Sequence, residues 1–109
     1  MRIASVETIE VCHPLARPVG PASAFNTARR SVYIRITTDD GLVGWGEAYA
    51  LAGVHAAIRD TLAPLLVGTD PLDVRRLWQT MWVATFENGF AVGGVDIALH
   101  DLWGKALAS

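Results

Sequence analysis

Few side chains in this sequence stand at spacings that do chemistry. His13, His55 and His100 are scattered. None pairs with another at i, i+4, and none has a cysteine or second histidine at ligand spacing, so structural or surface roles are expected of them. Cys12 falls at a strand end with only His13 as a basic neighbour, and a reactive thiol needs a more electropositive surrounding. Gly44-Trp45-Gly46 lacks the third glycine of a dinucleotide loop and no strand–helix–strand unit surrounds it. These glycines are expected to let a strand bend or pack closely. Glu47 ends a strand directly before a loop. It is either a solvated carboxylate or a carboxylate at the edge of a site. Asp96 with His100, and Asp101 with Lys105, stand at i, i+4; such pairs support a helix by about 0.2–0.5 kcal/mol each. Asp96 also lies beside an apolar stripe and suits a bond to another element. No second carboxylate or positioned base accompanies these groups, so no general acid–base site is expected within the chain.

The elements that position these residues follow from hydrophobic periodicity. Ile3 to Val11 alternates as a strand, with Ile3, Glu7, Ile9 and Val11 on one face and Ala4, Val6, Thr8 and Glu10 on the other. Pro14, Pro18, Gly20 and Pro21, with small residues up to Asn26, then predict an irregular loop. Ser31 to Thr37 is β-branched and aromatic and puts Val32, Ile34 and Ile36 on one face. Thr38-Asp39-Asp40-Gly41 is a hairpin signal, and Leu42 to Ala48 is the returning strand. Helical patterns follow. The first runs from Val54 to Val67, with Val54, Ile58, Leu62, Leu65 and Leu66 on one side and Pro64 expected to kink or shorten it. The second starts with Asp70 as cap and Pro71 in the first helical position, with Asp73 near its positive end. Its stripe is Val74, Leu77, Trp78, Met81 and Trp82. The third begins near Phe90 or Ala91, places Val95, Leu99, Leu102 and Ala106 on one face, and is apolar on more than one side. Gly93-Gly94 marks either a helix start or a close backbone contact, because each glycine costs a helix interior about 1 kcal/mol. The fold class is α+β: a three-stranded antiparallel meander followed by a bundle of about three helices.

Composition narrows the function classes. The chain has 109 residues, room for one domain. It is 51% hydrophobic and only 18% charged, with a mean hydropathy of +0.30, too apolar for a disordered segment. That surplus and four tryptophans, Trp45, Trp78, Trp82 and Trp103, predict surface that something else covers. A net charge of −2 makes no electrostatic case for nucleic acid or an anionic membrane. The single cysteine predicts a reducing cytoplasm. Glu7 interrupts the N-terminal segment where a signal peptide needs an apolar run. The last helical pattern reaches Ser109 without a glycine or asparagine stop. The expectation is a chain truncated within its last helix.

Two motifs carry a resemblance. Thr38-Asp39-Asp40-Gly41-Leu42-Val43-Gly44-Trp45-Gly46-Glu47 resembles the T-x-D-G-x-x-G-x-G-E hairpin of the enolase superfamily, in its mandelate racemase and muconate lactonizing enzyme branch. Val95 to Leu107 resembles the A-I-D-I-A-L-W-D-L-x-G-K-A-L helix of the same branch. They occur in order, with Asp70-Pro71 between them, and the likeness covers nearly the whole chain. His100 stands where an aromatic is usual, and Gly93-Gly94 where Ser or Ala is common; both departures touch packing.

The resemblance implies an N-terminal capping domain over a C-terminal (β/α)-barrel that is absent from this chain. In such enzymes the barrel carries the carboxylates for a divalent metal, usually Mg²⁺, and the bases that take the proton α to a substrate carboxylate. No catalytic residue and no metal ligand is then expected here, and the chain alone is expected to be inactive. The cap supplies two loops that close over the barrel mouth. They map to Leu15–Asn26 and Tyr49–Val54. Val19, Phe25, Tyr49 and Leu51 are the expected apolar specificity residues, Ser23 a hydrogen-bond donor, and Glu47 a site-edge carboxylate. The implied partners are the barrel, a small-molecule carboxylate and further copies in a homo-oligomer, without nucleic acid or membrane. The full-length activity is that of a racemase, dehydratase or cycloisomerase. The alternative is a stand-alone binding or dimerisation module.

Overall fold

In the computed structural model, residues 1–20 and 26–108 are described. Three strands, β1 (Ile3–Val19), β2 (Asn26–Thr38) and β3 (Val43–Tyr49), form an antiparallel meander in the order β1-β2-β3. Helices α1 (54–66), α2 (Val74–Ala84) and α3 (Gly89–Ala108) cover one face of it. The β2–β3 turn forms as the Asp-Gly signal requires. Gly41 takes φ +91°, a conformation that side chains resist. The buried hydroxyl of Thr38 accepts the Leu42 amide at 3.0 Å, and the Asp39 carboxylate accepts the Arg2 amide at 3.0 Å.

The structure corrects the reading of β1 twice. The strand does not stop at Val11: pairing runs on through His13↔Arg29 and Pro14↔Ala28, and Val19 closes it opposite Asn26. Leu15 to Val19, read as part of an irregular loop, is therefore strand, as is Asn26; residues 21–25 of the expected loop lie outside the described residues. Prolines fit because β1 is an edge strand, where a missing amide donor leaves no ladder bond broken. The second correction is facial. Ile3 is buried, yet Ile9 and Val11 are exposed. The register shifts between Ile3 and Ser5. A bulge at Ala4 flips the alternation, so Val6 rather than Ser5 follows Ile3 onto the core side.

α1 consists of an α-helical start, Val54–Ala56, a π-helical stretch, Ala57–Leu62, and an α-helical end, Ala63–Leu66. The helix thus runs past Pro64 to Leu66, one residue short of the expected Val67. In the widened turn the Ala63 amide reaches back to Ile58, five residues away, a π-type bond. Buried residues then recur every fourth position, Val54, Ile58, Leu62 and Leu66, while Leu65 is exposed. α2 begins later than expected. Asp70 accepts the Leu72 amide at 2.9 Å in a turn that contains Pro71, and Asp73 precedes the first helical residue. Asn88 caps α3 by accepting the Ala91 amide at 3.2 Å.

The core lies between the sheet and α3. Val32, Ile34 and Ile36 face Val92, Val95, Ala98, Leu99 and Leu102, with Ile58, Leu62, Leu66, Leu77 and Met81 closing the sides. Gly94 resolves the ambiguity at Gly93-Gly94. A Cβ there would stand 2.6 Å from Ala48 Cβ, whereas one at Gly93 would meet nothing within 4 Å. Gly44 and Gly46 meet α3 from the strand side: a Cβ at Gly46 would strike the Gly94 carbonyl and stand 2.9 Å from the Ala98 amide nitrogen. The helix and strand approach as backbones. α3 is buried along one broad side only in this chain. Phe90, Ile97, Trp103 and Leu107 on its other side are exposed, so the burial on more than one side that its apolar pattern leads one to expect is not reached within this chain. Trp45 and Trp78 are exposed as well. Among the described residues, no helix is long and apolar enough to cross a membrane.

Candidate functional site at the loop end of the domain

β3 and α3 run antiparallel, since Gly44 lies by Leu102 and Ala48 by Gly94. The end of β3 and the start of α3 therefore meet at one end of the domain. The last part of β1, the first part of β2 and the segment between β3 and α1 lie toward that same end. Tyr49 and Phe90 mark the meeting point, with ring centroids 6.4 Å apart and planes tilted by 49°. Both rings are about half exposed, a geometry in which aromatic pairs attract while keeping a free edge. Leu51 lies next to them and is exposed. Its amide donates to the Tyr49 carbonyl at 2.9 Å, and its carbonyl accepts the Val54 amide at 3.0 Å. The segment is thus a folded turn leading directly into α1. The Ala50 amide donates to the Arg30 carbonyl at 3.4 Å, which ties it to β2. His55 Nε2 is 2.9 Å from Thr8 Oγ1 and ties the first turn of α1 to β1.

The expected site residues divide accordingly. Tyr49 and Leu51 stand together. Val19 terminates β1 opposite Asn26. Ser23 and Phe25 lie outside the described residues, as does the Val19 side chain. Glu47 is on the outer face of the sheet, opposite Tyr33 and one pleat before Tyr49. Phe90 was not among the expected residues, because its helical pattern says nothing about which strand end it meets.

A second set of polar contacts holds β3 in place. Trp45 donates its amide to Asp101 Oδ2 at 2.8 Å. Lys105 Nζ donates to the same oxygen at 3.1 Å and to the Val43 carbonyl at 2.6 Å. These backbone groups point away from β2, and the two side chains satisfy them as a neighbouring strand would. The Trp45 amide, and after it Lys105, hold the Asp101 carboxyl below its ordinary range against the opposing effect of burial. The i, i+4 spacing revealed the Asp101–Lys105 pair but not the strand it reaches. Asp96 is different. Its Oδ1 is 3.5 Å from His100 Nδ1, and it is buried without a hydrogen-bond partner among the described residues. On the outer face Arg35 forms a bidentate pair with Glu7, at 2.6 and 3.2 Å, and lies 5.7 Å from the Trp45 ring centroid. Among the described residues, no three His, Cys, Asp or Glu side chains converge as metal ligands.

A meander backed by helices, with backbone-close glycines at the strand–helix contact, defines an α+β domain. Residues 3–109 match the family described as "Mandelate racemase / muconate lactonizing enzyme, N-terminal domain", and the chain belongs to that family within the enolase superfamily. It is 42% identical over 93 residues to a D-galactonate dehydratase of Verminephrobacter eiseniae, a match covering 78% of this chain and 24% of that protein. It is 35% identical over 111 residues to a D-galactarolactone cycloisomerase of Agrobacterium fabrum, covering 96% of this chain and 29% of that protein. Among solved structures, the L-Ala-D/L-Glu epimerase from Bacillus subtilis superposes with a TM-score of 0.86 at 30% identity, covering 98% of this chain and 32% of the epimerase. The chain spans about a quarter to a third of the length of these relatives.

Proposed function

We propose that this domain covers and selects the substrate of an enzyme that removes the proton α to a carboxylate, as a racemase, dehydratase or cycloisomerase. The observation that carries the reading is the joining of Tyr49, Leu51 and Phe90 where β3 ends, α3 starts and the segment leading into α1 emerges. Exposed apolar rings on a rigid strand end and helix start suit the exclusion of water from a pocket and contact with the remote part of a substrate. The reacting groups belong to a C-terminal barrel beyond this chain. Mg²⁺ is proposed for that barrel. The described residues here offer it no ligand cluster, and no role of this domain depends on holding it. The exposed side of α3, with Ile97, Trp103 and Leu107, is proposed to face the barrel or another copy in a homo-oligomer. The 109-residue chain by itself is proposed to be catalytically silent.

The test is kinetic. A full-length protein that contains this chain is assayed with Mg²⁺ on a panel of sugar acids and N-acylated amino acids, beside the isolated chain. Turnover by the full-length protein alone supports the reading. Turnover by the isolated chain overturns it.

A further inference from the structure

The outer flank of α2 carries features that the protomer itself does not use. Arg75, Trp78, Gln79 and Trp82 stand at i, i+3, i+4 and i+7, one stripe of that helix. Trp78 and Trp82 stack, with ring centroids 4.9 Å apart and planes 15° apart. Two shallow grooves meet along Trp82 and Val83. One, of about 600 Å³, is lined as well by Trp78 and Gln79, and the other, of about 310 Å³, by Phe86 and Glu87. Val83 is 74% exposed. Phe86, just past the helix end, holds a left-handed backbone with its ring almost fully exposed. Strain of this kind persists where a contact elsewhere rewards it, and the chain gives this ring almost none.

The charges on the same flank have the same character. Arg75 lies in the first turn of α2, and Glu87 lies just past its last. The helix dipole favours anions at the N-terminal end and cations at the C-terminal end, so each stands at the unfavourable end of its own helix. Both are exposed, and neither has an ion-pair partner among the described residues. A second α2 laid antiparallel reverses this. It brings its Glu87 toward Arg75 and its Arg75 toward Glu87, and it opposes the two dipoles.

We infer that the outer flank of α2 is a self-complementary interface on which a second copy of this chain docks across a two-fold axis. With the axis beside Trp82, Phe86 of each copy lies opposite Trp78 of the other and enters its groove. Glu87 then falls within one helical turn of the other copy's Arg75. A large aromatic seated in an apolar groove, inside a charged rim, is the arrangement that carries most of the energy of protein–protein contacts. An isologous contact of this kind closes on itself and leaves no patch for further growth. The interface goes beyond the covering role and does not depend on it, since neither the loop end of the domain nor the exposed side of α3 takes part.

The experiment measures the mass of a full-length protein that contains this chain by analytical ultracentrifugation over a range of concentrations. The expected wild type is an even-numbered assembly. Phe86→Asn keeps a residue that tolerates the left-handed conformation, and Val83→Glu changes an exposed helical position. Each is expected to weaken association by about tenfold or more and to halve the mass at low concentration. Arg75→Glu and Glu87→Arg each weaken association several-fold, and the two together in one chain restore it, which a purely structural role of either residue does not produce. Far-UV circular dichroism checks that each variant is folded. A monomer at every concentration, wild-type association in both Phe86→Asn and Val83→Glu, or no recovery in the double charge variant overturns the interface. Substrate turnover enters none of these readouts, so the covering role stands or falls separately.

Discussion

The Asp101 carboxylate accepts the backbone amide of Trp45 across 2.8 Å, although 56 residues separate them in sequence. This bond joins the last helix to the last strand where the two family motifs meet. Removing it leaves an amide on the strand edge without its partner. Because the carboxylate is partly exposed, Asp101→Ala is expected to cost about 1 kcal/mol, less than a buried charged pair. Urea denaturation at neutral pH checks the value.

The same carboxyl has a folded-state value below its ordinary 3.8. A depressed carboxyl contributes stability that is complete above its unfolded value and is lost as pH falls through its folded value. The stability difference between wild type and Asp101→Asn is therefore expected to be constant from pH 5 to 7, and to shrink in the acid range below 3.8. Denaturation series at several pH values measure it. A difference that grows on acidification contradicts this assignment.

Adjacent glycines in α3 are expected to respond with opposite signs. Gly94→Ala forces a methyl against Ala48 and Ile34, an overpacking that costs about 1–3 kcal/mol. Gly93→Ala meets nothing within 4 Å and stabilises the helix by about 0.5–1 kcal/mol through lower unfolded-state freedom. Thermal unfolding of the two variants separates them clearly.

Phe86 has φ +51° and is 94% exposed at the end of α2, and Glu87 follows at φ +66°. The Glu87 amide reaches back to the Trp82 carbonyl at 2.9 Å, and the Phe86 amide to Val83 at 3.3 Å. This is a helix-ending motif in which glycine is the usual occupant. Phe86→Gly is expected to raise stability by about 1 kcal/mol by removing left-handed strain. An unchanged or lower melting temperature contradicts the assignment.

At the loop end, Tyr49→Ala and Phe90→Ala in the full-length enzyme are each expected to raise KM several-fold and to alter the ranking of substrates. Truncating an aromatic that lines a pocket forfeits about 1–3 kcal/mol of differential contact. Equal kinetics across the substrate panel would remove both rings from the site.

Much of this fold is legible in the sequence because local rules decide it. The turn at Asp40-Gly41, the alternation of Val32, Ile34 and Ile36, and the face of Val95, Leu99 and Leu102 all follow from periods of two and 3.6. What escapes is decided by neighbours. Alternation along β1 misplaces Ile9 because one extra residue at Ala4 shifts the register. Pro14 reads as a breaker until β1 is known to be an edge strand. Pro64 reads as a kink or an early end, and the π-helical stretch that precedes it has no signal in the periodicity. The candidate site is less legible still. Tyr49 and Leu51 come from the resemblance, whereas Phe90 joins them only once β3 and α3 are laid antiparallel.

A sheet grows by adding strands at unpaired edges, and this one is closed to growth on one side. Along β3 the amide of Trp45 and the carbonyl of Val43 are occupied by Asp101 and Lys105, so a further strand cannot pair there without first displacing a helix. On β1 the Ile3 amide and carbonyl are occupied by Thr69 and Gly68. Beyond that point the prolines at 14 and 18 leave gaps in any continuous row of donors. Edge-to-edge polymerisation is opposed by side chains on one border and by proline on the other. A domain with so apolar a surface can therefore be covered by other elements without its sheet becoming a template for more of itself.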